Sequence, residues 1–445
     1  MGRGIIAVIV LSVFVSNAFA QKNAAAPGRF YSESELKNDL TILRDNLEKR
    51  EPNLYLYTPK ETLDATFDSL YSYIKKPMTG EAFYKHITCL SSLIKNGHSY
   101  ILPSPATREY SNKYEKFLPL HIMWIGGRMY ADMNCSRDST IKAGDEIMSI
   151  NGLPASEIMH TLLIRQVRDG NNETYPVWIL NNWFREYYSY IFGHPALFNI
   201  TYKTGDGNYE NVNMPALSKD SIVYYMQQKY ADRVVTKKDG QGIFLETNEK
   251  LNTAVLTIKT FDGDQLRDDY NQNFRDEMYN YFSVIRKANI QKLVIDLRDN
   301  QGGDPENGIL LLSFLLHDPF TMVYKGPFSG VNKPLKEAYN GKLYVLINGG
   351  SFSVTGMVSS CLEQHRRCAF IGQETGGNKY VLSGDPETLE LPATKIECQI
   401  ATTVYLLRDK PNNEGHGVMP TYTKVPAIDD IINSRDRIKS FAELL

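Results

Sequence analysis

At 445 residues the chain exceeds the roughly 250–300 residues at which a single hydrophobic core stops growing, so two or three domains are expected. Apolar residues at 42% and charged residues at 22% suit a packed interior in water, which excludes a largely disordered chain and one made of membrane spans. The 49 basic and 51 acidic residues leave a formal charge of -2, too weak a field to gather nucleic acid or an anionic membrane surface.

Residues 1–20 differ from the rest: Arg3 gives a positive start, Ile5 to Val15 form an apolar run, and Ala18-Phe19-Ala20 offers small residues around a cleavage point. This pattern predicts a secretory signal, with the mature chain beginning near Gln21 and exported to a periplasmic or extracellular space. The apolar run is shorter than the ~20 residues of a membrane-spanning helix and no later segment qualifies, so no span is expected in the mature chain. The five cysteines, Cys89, Cys135, Cys361, Cys368 and Cys398, are too few and scattered for a disulfide scaffold, although an exported protein can oxidise a pair. No Cys-x-x-Cys or His-Glu-x-x-His run is present, so neither a metal nor another cofactor is implied.

Three helices are expected between residues 28 and 105, as a small helical domain. Ser32 with Glu35 makes a capping box ahead of Leu36, Leu40, Leu43 and Leu47. Thr58-Pro59 starts the second, with Leu63, Phe67, Leu70 and Ile74 on one face. Phe83, Ile87, Leu90 and Ile94 mark the third, which should stop at Asn96-Gly97, where glycine can take the left-handed conformation. From Phe117 the period changes to that of short strands, over Leu118 to Ile125, Arg128 to Met133 and Gly144 to Asn151, with turns at Gly126-Gly127 and Asn151-Gly152. The run Ala143-Gly144-Asp145-Glu146-Ile147-Met148-Ser149-Ile150-Asn151-Gly152 resembles a stretch of PDZ domains and implies a peptide-binding module, residues 110–225, interrupted by the aromatic stretch Tyr175 to Tyr190. That stretch reads either as a helical insertion or as part of a substrate channel.

After Thr247 strands and helices alternate, which indicates an α/β domain with a largely parallel sheet over residues 247–445. A strand carries Ala254, Leu256 and Ile258; one long amphipathic helix is expected over Leu266 to Ile285; strands follow at Lys292 to Leu297, Leu343 to Ile347 and Ala369 to Gly372, with helices at Gly308 to Leu316 and after Ser353.

Two turns of this domain carry chemistry. Asn348 to Gly356 passes from a buried strand through glycines and two serines into a helix, whose N-terminus aims unpaired N–H groups at the same point. Either serine could be a simple N-cap. Arg298-Asp299-Asn300-Gln301-Gly302-Gly303 follows another strand; it fits no phosphate-loop pattern, but its paired glycines suit half of an oxyanion hole, with the Val354 amide as the second donor.

Asp296 to Gly303, Asn348 to Gly356, Ile371 to Gly377 and Asn96-Gly97-His98-Ser99 together resemble the ordered motifs of the tricorn and C-terminal-processing family of serine peptidases, in its histidine-bearing branch. The resemblance implies a multidomain α/β protein, with a crotonase/ClpP-like core behind the helical and PDZ-like domains. It implies an endopeptidase acting on a peptide or protein substrate, with Ser353 as nucleophile, Ser351 as the alternative, His98 as base, and Gly302, Gly303 and Val354 as oxyanion hole. Asn412 to Pro420 is similar to the end of the same branch and makes Glu414 the candidate partner of His98. Two positions depart from the family: Gly356, where many relatives carry Glu, and Asn378, where the lysine-using branch has its base, leaving Lys379 one residue late as an alternative base. Two other readings share the scaffold: a catalytically silent peptide- or ligand-binding protein, and a crotonase-like enzyme on thioesters, which an exported chain argues against.

Overall fold

The computed structural model describes residues 28–233, 240–410, 412 and 414–445; the expected signal segment lies outside the described residues. The first helix, Glu33–Arg50, starts with the Ser32/Glu35 capping box and buries Leu36, Leu40, Leu43 and Leu47, each worth roughly 1.5–3 kcal/mol on transfer grounds. Lys60–Tyr73 buries Leu63, Phe67 and Leu70 in the same way. The third expected helix is two, Gly80–Ile87 and Cys89–Ile94, and it is Lys95, at φ 53°, that takes the left-handed conformation at its end. Gly97 is needed for a different reason, given below.

The middle region is an antiparallel sheet in the order Leu120–Ile125, Arg128–Asn134, Glu146–Ile150, Leu197–Lys203, Tyr209–Pro215. Its Asn151-Gly152 turn has positive φ at both residues, 52° and 80°, which explains the choice of this pair. The aromatic stretch is a helix, Thr174–Phe192, kinked at Trp183. One buried cluster runs through all these parts: Leu36, Phe83, Ile122, Phe184, Ile200 and Ile400 share it.

The C-terminal sheet runs Ile243–Asn248, Thr253–Ile258, Lys292–Asp296, Lys342–Ile347, Ala369–Gly372, Tyr422–Thr423, the first pair antiparallel and the rest parallel. Its central strands are covered on both faces, so they read as continuous apolar runs: Leu293, Val294 and Ile295 are all 0% exposed. Helices Phe274–Lys287, Pro305–Leu315 and Val354–Gln364 pack on one face, while Ile438 and Ala442 of Arg437–Leu444 cover the other. The long helix expected over Leu266 to Ile285 is instead two, Gly263–Tyr270 and Phe274–Lys287, divided where Asn271 turns to φ 52°. A hairpin absent from the sequence expectations, Val381–Glu390 with Glu397–Leu406, pairs with Tyr100–Leu102 just after His98 and ties the N-terminal region to the C-terminal one.

Candidate active site

Ser353 lies at the junction of turn and helix with φ 53° and ψ -122°, a region that costs a non-glycine residue on the order of 1–3 kcal/mol and persists only where neighbours impose it. They do. Phe352 N–H donates to the Asn300 carbonyl (3.0 Å), Gly350 N–H to Asn348 Oδ1 (3.0 Å), and Ser351 Oγ to the Leu297 carbonyl (2.8 Å) while accepting from Asn348 N–H (3.0 Å). Ser351 is fully buried and spent on this turn, which removes it as a nucleophile.

The Gly302-Gly303 loop packs directly on this junction. A Cβ on Gly302 would meet Ser353 Cβ at 2.7 Å and Val354 N at 2.8 Å, and one on Gly303 would meet Asp262 N at 2.0 Å; both have positive φ, 97° and 136°. Only glycine fits either place. The Gly302 amide, expected as an oxyanion donor, is instead committed to Asn300 Oδ1 at 2.9 Å, so this part of the expectation is corrected: Gly302 contributes its bare face. The bridge between Phe261 and Gly303 uses the Gly302 carbonyl and the Asp304 amide, leaving the Gly303 amide outside it. Val354, first residue of its helix, has no carbonyl within that helix to receive its N–H.

His98 Nε2 lies 3.3 Å from Ser353 Oγ, although the residues are 255 positions apart. The imidazole packs on Phe352, with ring centroids 4.6 Å apart, and Phe352 in turn stacks on Tyr175 at 4.3 Å. A Cβ on Gly97 would come within 2.5 Å of the Phe352 ring, which is why the residue before the histidine is glycine. Burial pushes the His98 pKa down to about 4, opposed by the Asp385 charge and the Ser383 carbonyl, so the ring is neutral at pH 7.

The other expected groups stand elsewhere. Glu414 is exposed and is fastened by its backbone, its carbonyl accepting from Asn171 Nδ2 at 3.0 Å, while the buried His98 Nδ1 makes no hydrogen bond of ordinary geometry among the described residues. Glu414 therefore does not hold the imidazole in this structure. Lys379 Nζ is paired with Glu363 at 3.3 Å, which also pairs with Arg408, and this network points it away from Ser353. Asn378 is fully buried, with Nδ2 donating to Tyr57 Oη at 2.7 Å.

Sequence reasoning missed two buried carboxylates that frame the histidine turn. Glu51 Oε1 accepts from Asn96 Nδ2 at 2.8 Å and its Oε2 from Ser99 Oγ, so it grips the residues flanking Gly97-His98. Asp169 Oδ1 accepts from Gly97 N–H at 3.5 Å and Oδ2 from Asn378 N–H at 2.8 Å. Burial raises both pKa values, that of Asp169 to about 7. One edge of the antiparallel sheet is partly covered by the long helix. Asn181 of the long helix accepts from Trp124 N–H at 2.7 Å and donates to its carbonyl at 3.3 Å, so the outer edge of Leu120–Ile125 is already capped where an added peptide strand would pair.

Residues 252–423 match the model of the family described as peptidase family S41. Over 143 residues it is 24% identical to a probable CtpA-like serine protease of Staphylococcus epidermidis, covering 31% of this chain and 27% of that protein. Over 172 residues it is 30% identical to the nisin-resistance protein of Lactococcus lactis subsp. lactis, covering 33% of this chain and 51% of that one. The likeness thus spans about a quarter to a half of these relatives, 27% and 51%, and concerns the shared domain. The crystal structure of mature CPAF is alike over 92% of this chain and 96% of that one, with TM-score 0.66 and 14% identity, a likeness of fold that extends over the whole multidomain α/β arrangement. The matched residues 252–423 contain Ser353 and both loop glycines, whereas His98 is contributed by the region before them.

Proposed function

We propose that this chain is an exported serine endopeptidase that opens peptide bonds through an acyl-enzyme on Ser353. The single observation that carries this reading is the strained Ser353, presented at a helix N-terminus with its Oγ 3.3 Å from a neutral imidazole. In this mechanism His98 Nε2 takes the Oγ proton as the hydroxyl attacks the scissile carbonyl, then gives it to the leaving amine; a water activated by the same nitrogen releases the acyl group. The amides of Gly303 and Val354 receive the oxyanion, a contribution worth about 2.7–4 kcal/mol per donor in related sites. The Asp385 charge and the Ser383 carbonyl favour the imidazolium that forms transiently, so the site works as a dyad rather than through Glu414.

The signal-like residues 1–20 support export. Residues 110–225 are read as a PDZ-like module with an inserted helix, following a helical domain over 28–105 and preceding a crotonase/ClpP-like core over 247–445. Among the described residues no helix is long and apolar enough to cross a membrane. The test is intact-mass analysis after a serine-reactive phosphonate. One adduct on the wild type, lost in Ser353→Ala and slowed in His98→Ala, is the expected result; a well-folded wild type that takes none would overturn the reading in favour of a silent binding protein.

A further inference from the structure

The stretch from Arg168 to Tyr175 leaves the middle region and touches each loop that builds the site. Gly170 N–H donates to the Lys95 carbonyl at 2.8 Å, Asn171 N–H to the Gly415 carbonyl at 2.6 Å, and Asn172 Nδ2 to the Thr375 carbonyl at 2.9 Å. Asp169 stands at its centre. One carboxylate oxygen receives the amide of Gly97, next to the base; the other receives the amide of Asn378. The backbone just before Asn378 abuts the nucleophile, since a Cβ on Gly377 would lie 3.2 Å from Ser353 N. A single side chain thus links the turn before the base to the loop that abuts the nucleophile.

The chemistry of this bridge calls for an ionised carboxylate. Two N–H donors reach its two oxygens, and a carboxylate offers both as free acceptors; an amide would turn its NH2 against one donor, and a carboxylic acid accepts from both only by aiming its O–H elsewhere. Asp169 is 3% exposed, the charged neighbour acting on it is Glu51, itself a carboxylate, and the Tyr57 and Tyr175 side chains lie close enough to feel its charge. Among the described residues no cation offsets its burial, and an unpaired buried charge costs stability.

Resting on the peptidase reading above, we propose that Asp169 is a positioning residue for the Ser353–His98 pair: its ionised carboxylate clamps the base turn to the nucleophile, and the pair is competent only while that clamp is charged. Acylation of the full-length mature chain by a peptidyl phosphonate, followed from acid to alkaline pH in wild type and Asp169→Asn, tests it. In the wild type the maximal acylation rate should fall as pH drops through about 7, the value to which burial raises Asp169, well above the titration of His98 at about 4. In Asp169→Asn the maximal rate at alkaline pH should be lower by roughly tenfold or more, with the concentration for half-maximal rate unchanged and the acid limb near neutrality gone. A variant matching the wild type in rate and profile overturns the proposal, as does a wild-type profile flat through neutrality, which decides the matter even if the variant does not fold. A wild type that takes no adduct at any pH overturns the peptidase reading and this one with it, whereas failure of the Asp169 role alone leaves a labelled wild type.

Discussion

The two halves of the candidate site are built in opposite ways. The nucleophile side is local: a strand, a glycine turn and a helix in one run from Lys342 to Gln364, braced by the neighbouring Asn300 loop. The base side is assembled from afar. His98 is placed by Glu51, Asp169 and Phe352, and by the pairing of Tyr100–Leu102 with Glu397–Leu406. A local turn keeps its shape when distant residues change, and a long-range clamp does not, so lesions on the two sides should differ in kind.

The largest effect expected is that of Ser353→Ala, a loss of peptidase activity on the order of 10⁴-fold or more, with thermal unfolding close to the wild type because the turn is held by its backbone and by Ser351. Steady-state kinetics beside calorimetry check both halves, and a large fall in melting temperature would show that the nucleophile side is less self-contained than argued. Gly97→Ala should come next. The new methyl would meet the Phe352 ring at 2.5 Å, on the ring that supports His98, so a fall in kcat of about 10²-fold is expected from misplacement alone, with destabilisation of about 1–3 kcal/mol from overpacking. Kinetics indistinguishable from wild type would break the claim that this glycine sets the base. Lys379→Ala should change kcat/KM by less than about twofold, since its ammonium is occupied with Glu363 and partly buried ion pairs of this kind are worth little. A loss comparable to Ser353→Ala would return the lysine to the role of base.

The same division decides what was legible in the sequence. The two turns at Gly302-Gly303 and at Ser351 to Ser353 could be read because a strand, a breaker and a helix start lie side by side, whereas the choice of Ser353 came through the resemblance and the donor role given to Gly302 missed its bond to Asn300. His98 was reached through resemblance, for nothing near Asn96-Gly97 reports a serine 255 residues away. Asp169 and Glu51 gave no signal at all: an acidic residue before Gly170 reads as a turn, and only the folded chain shows both as buried acceptors. The hairpin was hidden by Gly384-Asp385-Pro386, three strand-breaking residues inside its first strand, where Asp385 adopts φ 49°. Asn271 divided a helix whose apolar period continues on both sides of it, so periodicity alone overran the break. Glu414 was placed by motif order, which fixes the path of the chain past the site but not the direction of a side chain at its rim.

The smallest effect expected is on the wild type's own stability between acid and neutral pH, and it separates the two sides most finely. Asp169 is raised from its ordinary 3.8 to about 7, so across that window the folded state holds a proton the unfolded state has lost, and stability falls as pH rises. His98 is lowered from 6.5 to about 4, so the unfolded state holds the extra proton and stability rises with pH over nearly the same window. Both groups belong to the base side, and their contributions largely cancel. Judged as differences from the wild type, so that Glu51 and the other shifted carboxylates drop out, melting temperature should rise more steeply with pH in Asp169→Asn and fall with pH in His98→Ala. Differences of the same sign in the two variants would mean that the two groups do not shift in opposite directions on folding, and the charge states assigned to the base side would be wrong.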